Sequence, residues 1–386
     1  MKYSLPIILL LFTILPFSIQ AQDKPELHVG GALRFNYNYS NWKEGHKKRG
    51  GDFGYDVFRI NAQAKYKGVK LDAEYRLYST PFGGGMLKQG WLAYDFSQND
   101  EIQLGLTQVP FGITQYNSHN WFFSINYYVG LEDDHDMGFK YSHQGEHWDF
   151  DLAFFKNAEE MNFGSYSDAS YSRYSYDVTS FRDAAGNYSY RNKETNTVNG
   201  RLKYKATTGE VKHEFGISGQ YGGIYNLDTE NMGDHYAFAL HYEMNYKRFN
   251  IKSQFAQYEY HTAGPDTESK DLIAMGAYGA PYFVAAAANL YTFGVSYTQP
   301  VSWGPVSSLQ FYNDFGYMDK AVASFTDTYQ NTTGVLVTAG NVYTYIDLAG
   351  GKNQPWLGPD FNEGLGEGNP DSDYTFRFNI NVGYYF

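Results

Sequence analysis

The chain has no cysteine, only 12 prolines in 386 residues, and no apolar run after its first segment that approaches the length of a membrane-spanning helix. Without cysteine there is no disulfide framework, no thiolate metal site and no cysteine nucleophile. Basic residues are also in the minority. Lys and Arg number 30 against 42 Asp and Glu, a net charge of -12 that argues against general nucleic-acid binding. What the chain has in abundance is aromatic: Tyr 38, Phe 29 and Trp 6, or 19% of all residues, more rings than a globular core of this size would bury.

The first segment reads as a secretory signal peptide. Lys2 supplies its positive end, Leu5 to Phe17 its apolar stretch and Ala21 the small residue for cleavage. Residues 1-21 are therefore expected to be removed, leaving 22-386 as one domain. Beyond it, apolar and polar residues alternate with a period of two, which marks strands. Leu27, Val29, Leu33, Phe35, Tyr37 and Tyr39 alternate with His28, Arg34, Asn36 and Asn38. Phe58, Ile60 and Ala62 alternate with Arg59, Asn61 and Gln63, and Val69, Leu71, Ala73 and Tyr75 with Lys70, Asp72 and Glu74.

One face is always apolar, while the other carries Gly, Ser, Asn and charge. A closed barrel with lipid outside and a wet lumen inside fits that pattern, and closure satisfies the backbone hydrogen bonds that hydrocarbon cannot. Tight connections at Lys67-Gly68, 144-146 and Lys247-Arg248 contrast with long ones at 41-54, 109-136, 158-196, 223-234, 261-285, 318-333 and 349-372. Short turns on one rim and long loops on the other are the outer-membrane arrangement. With both termini on the short-turn rim the strand number must be even. Splitting 334-348 at Ala339-Gly340-Asn341, where the alternation changes phase, gives sixteen; fourteen and eighteen remain the alternatives. The expected fold is all-β: a transmembrane antiparallel barrel with short periplasmic turns and long extracellular loops.

No constellation for chemistry accompanies this pattern. G-x-S-x-G and P-loop sequences are absent, and His213-Glu214 lacks the second His of a zinc motif. Gly364, Gly366 and Gly368 read as loop. No enzyme activity and no cofactor is implied. Glu132, Asp133, Asp134, His135 and Asp136 could hold a hard cation through their carboxylates, but they lack a recognised ligand spacing and read more simply as a solvated or lumen-facing acidic loop.

The stretch Gly105-Leu106-Thr107-Gln108-Val109-Pro110-Phe111-Gly112 resembles the segment before the constriction loop of porins in the phosphate-selective porin O and P family. Phe311-Tyr312-Asn313-Asp314 in the thirteenth strand and the final in-register Phe386 are similar to that family as well. The resemblance implies a sixteen-stranded, homotrimeric channel in the outer membrane of a Gram-negative bacterium. It also implies that 109-136 folds inward and that small hydrophilic solutes or inorganic ions, phosphate or other anions among them, are selected by lumenal arginines and lysines.

The inward faces carry ten cations, Arg34, Arg59, Lys65, Lys70, Arg76, Lys140, Arg201, Lys203, Lys252 and Arg377. Against them stand eight anions, Asp72, Glu74, Asp95, Asp149, Asp151, Glu214, Glu243 and Asp314, so the balance is close to neutral. Arg34, Arg59 and Arg76, on three adjacent strands, are expected to form a basic wall. Lys70, Arg201 and Lys203 also line the pore, and Glu132, Asp133, Asp134 and Asp136 are the expected opposing wall. The competing reading is a surface receptor or adhesion protein that uses the barrel as an anchor and the Tyr-rich 158-196 loop as its binding face.

Overall fold

The computed structural model describes residues 25-159 and 172-386. The expected signal peptide, 1-21, lies outside the described residues. Sixteen strands close into an antiparallel barrel: β1 (Glu26–Ser40), β2 (Asp52–Tyr66), β3 (Val69–Leu77), β4 (Gly85–Asp95), β5 (Asp100–Gln108), β6 (His135–Gln144), β7 (Trp148–Ala158), β8 (Asn192–Thr208), β9 (Val211–Asn226), β10 (Met232–Tyr246), β11 (Phe249–His261), β12 (Ala287–Trp303), β13 (Val306–Lys320), β14 (Thr328–Ala339), β15 (Val342–Lys352) and β16 (Thr375–Tyr385). Each strand pairs with its neighbour in sequence, and β16 returns to β1 in the register Ala32 with Tyr385. Gly31 and Phe386 exchange backbone hydrogen bonds of 2.9 and 3.1 Å across that seam.

The alternation places its apolar residues outside. Leu27 and Val29 are 63% and 65% exposed, an exposure that in water would be costly and in lipid is not. Aromatic rings gather near the short-turn rim, where Trp148 lies 4.7 Å from Tyr204 and Phe249 lies 4.9 Å from Tyr297 between ring centres. Such belts sit at the membrane interface because one edge of each ring tolerates water. The phase change at 339-341 is a two-residue turn between β14 and β15.

Several long connections are shorter than the alternation suggests. Residues 223-234 reduce to a loop at 227-231, and 318-333 to 321-327, because the flanking strands keep pairing beyond the apolar band. The segment 261-285 contains a hairpin of its own, Leu272–Ala277 with Ala280–Ala285. It lies inside the barrel and is buried on both faces, so its sequence shows a continuous apolar run instead of alternation.

Candidate functional site

The long loop between β5 and β6, 109-134, is the main feature of the lumen. It leaves β5 through Val109, whose N–H bonds the Asp134 carbonyl at 2.9 Å and so closes the loop at its base. Gly112 follows with a positive φ of 57°, and a side chain there would strike the Gln254 amide. The chain then crosses to the far wall. Gly112 N–H donates to Ser218 Oγ on β9 (2.8 Å), Ile113 N–H to Gln254 on β11 (2.9 Å), and Asn117 Nδ2 to Thr292 on β12 (2.9 Å). Lys252 Nζ donates to the Tyr116 carbonyl (2.6 Å) and Gln330 Nε2 to that of Phe123 (2.9 Å).

Three other segments pack onto this loop from the long-loop side. Asp177–Val178 pairs with the strand Leu272–Ala277, and Tyr174 and Tyr176 are each 1% exposed. Tyr127 Oη donates to the Tyr174 carbonyl (2.9 Å), Tyr282 Oη to that of Tyr128 (2.6 Å), and Trp356 Nε1 to Tyr176 Oη (2.6 Å). Each buried ring contributes about 1.5–3 kcal/mol from area alone, and each hydroxyl named here has a partner. Residues 172-180 of the Tyr-rich loop thus belong to an interior plug. The exposed binding face expected of 158-196 is not present in that part, because its rings complete an apolar core inside the barrel; 160-171 lie outside the described residues.

Between the plug and the wall formed by β1, β2, β3, β15 and β16 runs a cavity of about 610 Å³. Arg34, Arg59 and Arg76 are brought together along it, as their adjacent strands suggest. Each also has a carboxylate: Arg34 with Asp56 at 2.9 Å, and Arg59 and Arg76 both with Glu74, at 3.2 and 2.6 Å. Arg76 lies 4.4 Å over the Tyr174 ring, a cation–π contact that fixes it against the plug.

Arg377, at the long-loop end of β16, stands apart. It meets the rings of Trp42 at 5.6 Å and Phe122 at 6.0 Å; its Nε is buried without a hydrogen-bond partner, and no salt bridge reaches it among the described residues. Lys43 lies close enough that burial and then the charge of Arg377 push its ammonium below the usual lysine range. Five cations, Arg34, Lys43, Arg59, Arg76 and Arg377, face this cavity with the carboxylates Asp52 and Asp56. The near-neutral balance of the whole lumen is therefore not shared evenly along it.

The remaining basic residues are elsewhere. Lys70, Arg201 and Lys203 line a second cavity of about 330 Å³ toward the short-turn rim, where acids match them. Lys70 is 2.6 Å from both Asp95 and Glu101, Arg201 is 3.5 Å from Asp151, and Lys203 is 3.3 Å from Asp149 and 3.1 Å from Glu214.

The acids of 132-136 do not face the arginines. They lie on the return leg of the loop, beneath the plug, and the surface opposite the arginines is aromatic: Tyr116, Phe123, Tyr127, Tyr128 and Tyr174. Glu132 is a staple within the loop, accepting the N–H of Asn117 (2.9 Å) and both the N–H and hydroxyl of Ser124 (3.1 and 2.5 Å); burial pushes its carboxyl up to about 7. Asp133 meets Lys88 at 3.0 Å and accepts from Tyr174 Oη at 2.6 Å. Asp134 and Asp136 lie with Asp177 in a buried group, and burial, then Asp177, raises the Asp134 carboxyl well above its usual value. Sequence reasoning missed Lys43 and Lys88 and gave Arg377 no special place. The available signal for Arg377 was the lack of an acid beside it on either neighbouring strand.

No family model and no curated protein matches the chain. Solved structures do. OmpT of Vibrio cholerae, described as a trimer form, aligns at TM-score 0.57 and 12% identity over 94% of this chain and 100% of that one. The anion-selective porin of Comamonas acidovorans gives TM-score 0.57 and 13% identity over 94% and 100%. The outer membrane channel DcaP of Acinetobacter baumannii gives TM-score 0.57 and 9% identity over 95% and 99%. At these identities the likeness is one of fold: the chain is similar to sixteen-stranded porin barrels along nearly its whole described length.

Proposed function

We propose that the protein is an outer-membrane porin of a Gram-negative bacterium, a passive diffusion channel for small hydrophilic solutes that favours anions. The observation that carries this reading is the arginine-lined cavity between the plug and the barrel wall, with Arg377 at its outer end, reached by no salt bridge among the described residues. An anion passing there exchanges part of its hydration for guanidinium contacts, while Asp56 and Glu74 keep the wall from binding so tightly that it traps the solute. Loop 109-134 supplies the constriction. Selection is by size and local field, without bond chemistry.

Phosphate is the finer expectation from the porin O and P resemblance, and a homotrimer is the expected assembly, in keeping with the trimer form of the Vibrio cholerae neighbour. The outer apolar band supports insertion in lipid. The reading is tested by swelling of liposomes that carry the purified protein, in isotonic solutions of neutral and anionic solutes of matched size. Faster entry of the anion, slowed by phosphate, is the expected outcome. Equal entry removes the anion preference and leaves a general porin; no entry with a correctly folded barrel removes the channel. Burial withdraws Tyr174 and Tyr176 from any external binding face, which takes two of the loop's rings from the receptor reading.

A further inference from the structure

Asp134, Asp136 and Asp177 bring carboxylate oxygens to within 4.8 Å of one another, and all three side chains are buried. Two oxygens that share one Ca²⁺ at 2.3–2.6 Å can stand no more than roughly 5 Å apart, so the spacing suits a single ion. A second observation points the same way. Asp136 is only 4% exposed, and its Oδ1 is buried with no hydrogen-bond partner. An anionic oxygen left so would cost several kcal/mol in a medium of low polarity.

Two further acids surround the three. Glu159 is 2% exposed and accepts the N–H and hydroxyl of Ser175 at 2.6 and 3.1 Å; Glu194, on β8, lies near enough for its charge to act on both Asp134 and Asp136. Facing these five carboxylates is Arg173, with Nη1 at 3.2 Å from Asp177. A cation held among these oxygens would add a concentrated positive charge beside the Arg173 guanidinium. Every donor is oxygen, which selects a hard cation over a transition metal.

The position of the group gives the ion a task. Asp134 ends the constriction loop, Asp136 belongs to β6, and Asp177 lies in the stretch between β7 and β8 that pairs with the Leu272–Ala277 strand. We propose that Asp134, Asp136 and Asp177 form a Ca²⁺ site that ties the constriction loop and the 172-180 plug segment to the barrel wall, with Glu159 and Glu194 completing the negative surroundings.

The test is calcium titration by calorimetry on the full, detergent-folded protein stripped with EDTA, with folding of every variant checked by heat-modifiable migration. Wild type is expected to bind one Ca²⁺ saturably. D136N and D177N are expected to weaken binding by at least about tenfold, and E210Q, in a short turn on the opposite rim, to leave it unchanged. Melting of the wild type should rise with Ca²⁺ while that of D177N does not. Absence of saturable binding by folded wild type overturns the site, as does binding by D136N and D177N equal to wild type. Should D136N not fold, D177N, a loop substitution, carries the same comparison alone.

Discussion

Asp314 on β13 anchors the tip of the inward-folded loop 109-134 through His119. Its Oδ1 lies 2.7 Å from His119 Nδ1, while its Oδ2 accepts the N–H groups of His119 (2.8 Å) and Asn120 (3.1 Å) and Asn120 Nδ2 (2.8 Å). The approach is possible because Gly294 on the neighbouring strand has no side chain: a Cβ there would stand 2.3 Å from Asp314 Oδ1 and 3.2 Å from the His119 ring. A carboxylate that accepts several N–H groups at once is among the stronger polar anchors available to a loop.

D314N is therefore expected to free the loop tip, and G294A to do so by displacing Asp314. Each lost charge-assisted bond removes about 1.5–3 kcal/mol of local hold, whereas the barrel ladders stay intact. Single-channel recordings should show noisier current and a larger mean step for both variants, with heat-modifiable migration of the barrel unchanged. Recordings identical to wild type would detach the loop tip from the control of pore size.

Selectivity should respond to the arginine wall in two directions. R377Q removes an arginine that no salt bridge reaches among the described residues, and replacing Arg59 and Arg76 with neutral residues takes both salt-bridge partners from Glu74. Both changes are expected to move reversal potentials toward cation preference, while E74Q moves them toward anions. Fixed charges in a narrow passage act through the local field, so shifts of a few fold in permeability ratio are expected at low salt, and smaller ones at high salt. Equal potentials for R377Q and E74Q would remove the wall from selectivity.

Lys88 and Asp133 form a buried pair at 3.0 Å, with side chains 8% and 2% exposed. K88M would strand the Asp133 carboxylate beneath the plug, at a cost of about 3–5 kcal/mol. The expected sign is faster protease cleavage within 172-191, with cleavage slowed again in the K88M/D133N double variant. If the double variant is cleaved as fast as K88M, the pair does not hold the plug.

At the barrel seam, a Cβ on Gly31 would lie 2.4 Å from the Arg59 carbonyl and 2.7 Å from the Phe386 ring. The ring of Phe386, 56% exposed, can turn aside, but the Arg59 backbone oxygen in the paired strand cannot withdraw. G31A is expected to lower the yield of heat-modifiable, folded barrel, and a wild-type yield would contradict the seam packing.

The sequence made the barrel wall legible because lipid imposes one rule on every strand. Leu27 and Val29, or Phe376 and Phe378, alternate with polar neighbours whatever they pair with, and the phase change at Ala339-Asn341 exposes a turn of two residues. The interior obeys no such rule. Tyr174, Tyr176 and the 272-285 hairpin are buried on all sides by loops distant in sequence, so their composition resembled that of an external loop. Charge could be assigned to the inner face residue by residue, but its net effect depends on which partners meet. Arg59 and Arg76 share Glu74, whereas Arg377 approaches Lys43 across the seam from 334 residues away. The acids at 132-136 were visible as a charge run. Their place beneath the plug depends on where the loop turns back, which no local periodicity records.

Planar-bilayer recording of the purified wild-type protein in a salt gradient tests the central claim most directly. Discrete conductance steps with a reversal potential on the anion side, lost in R377Q, are the predicted result. Steps with cation preference, or no steps from a barrel shown to be folded, would contradict it.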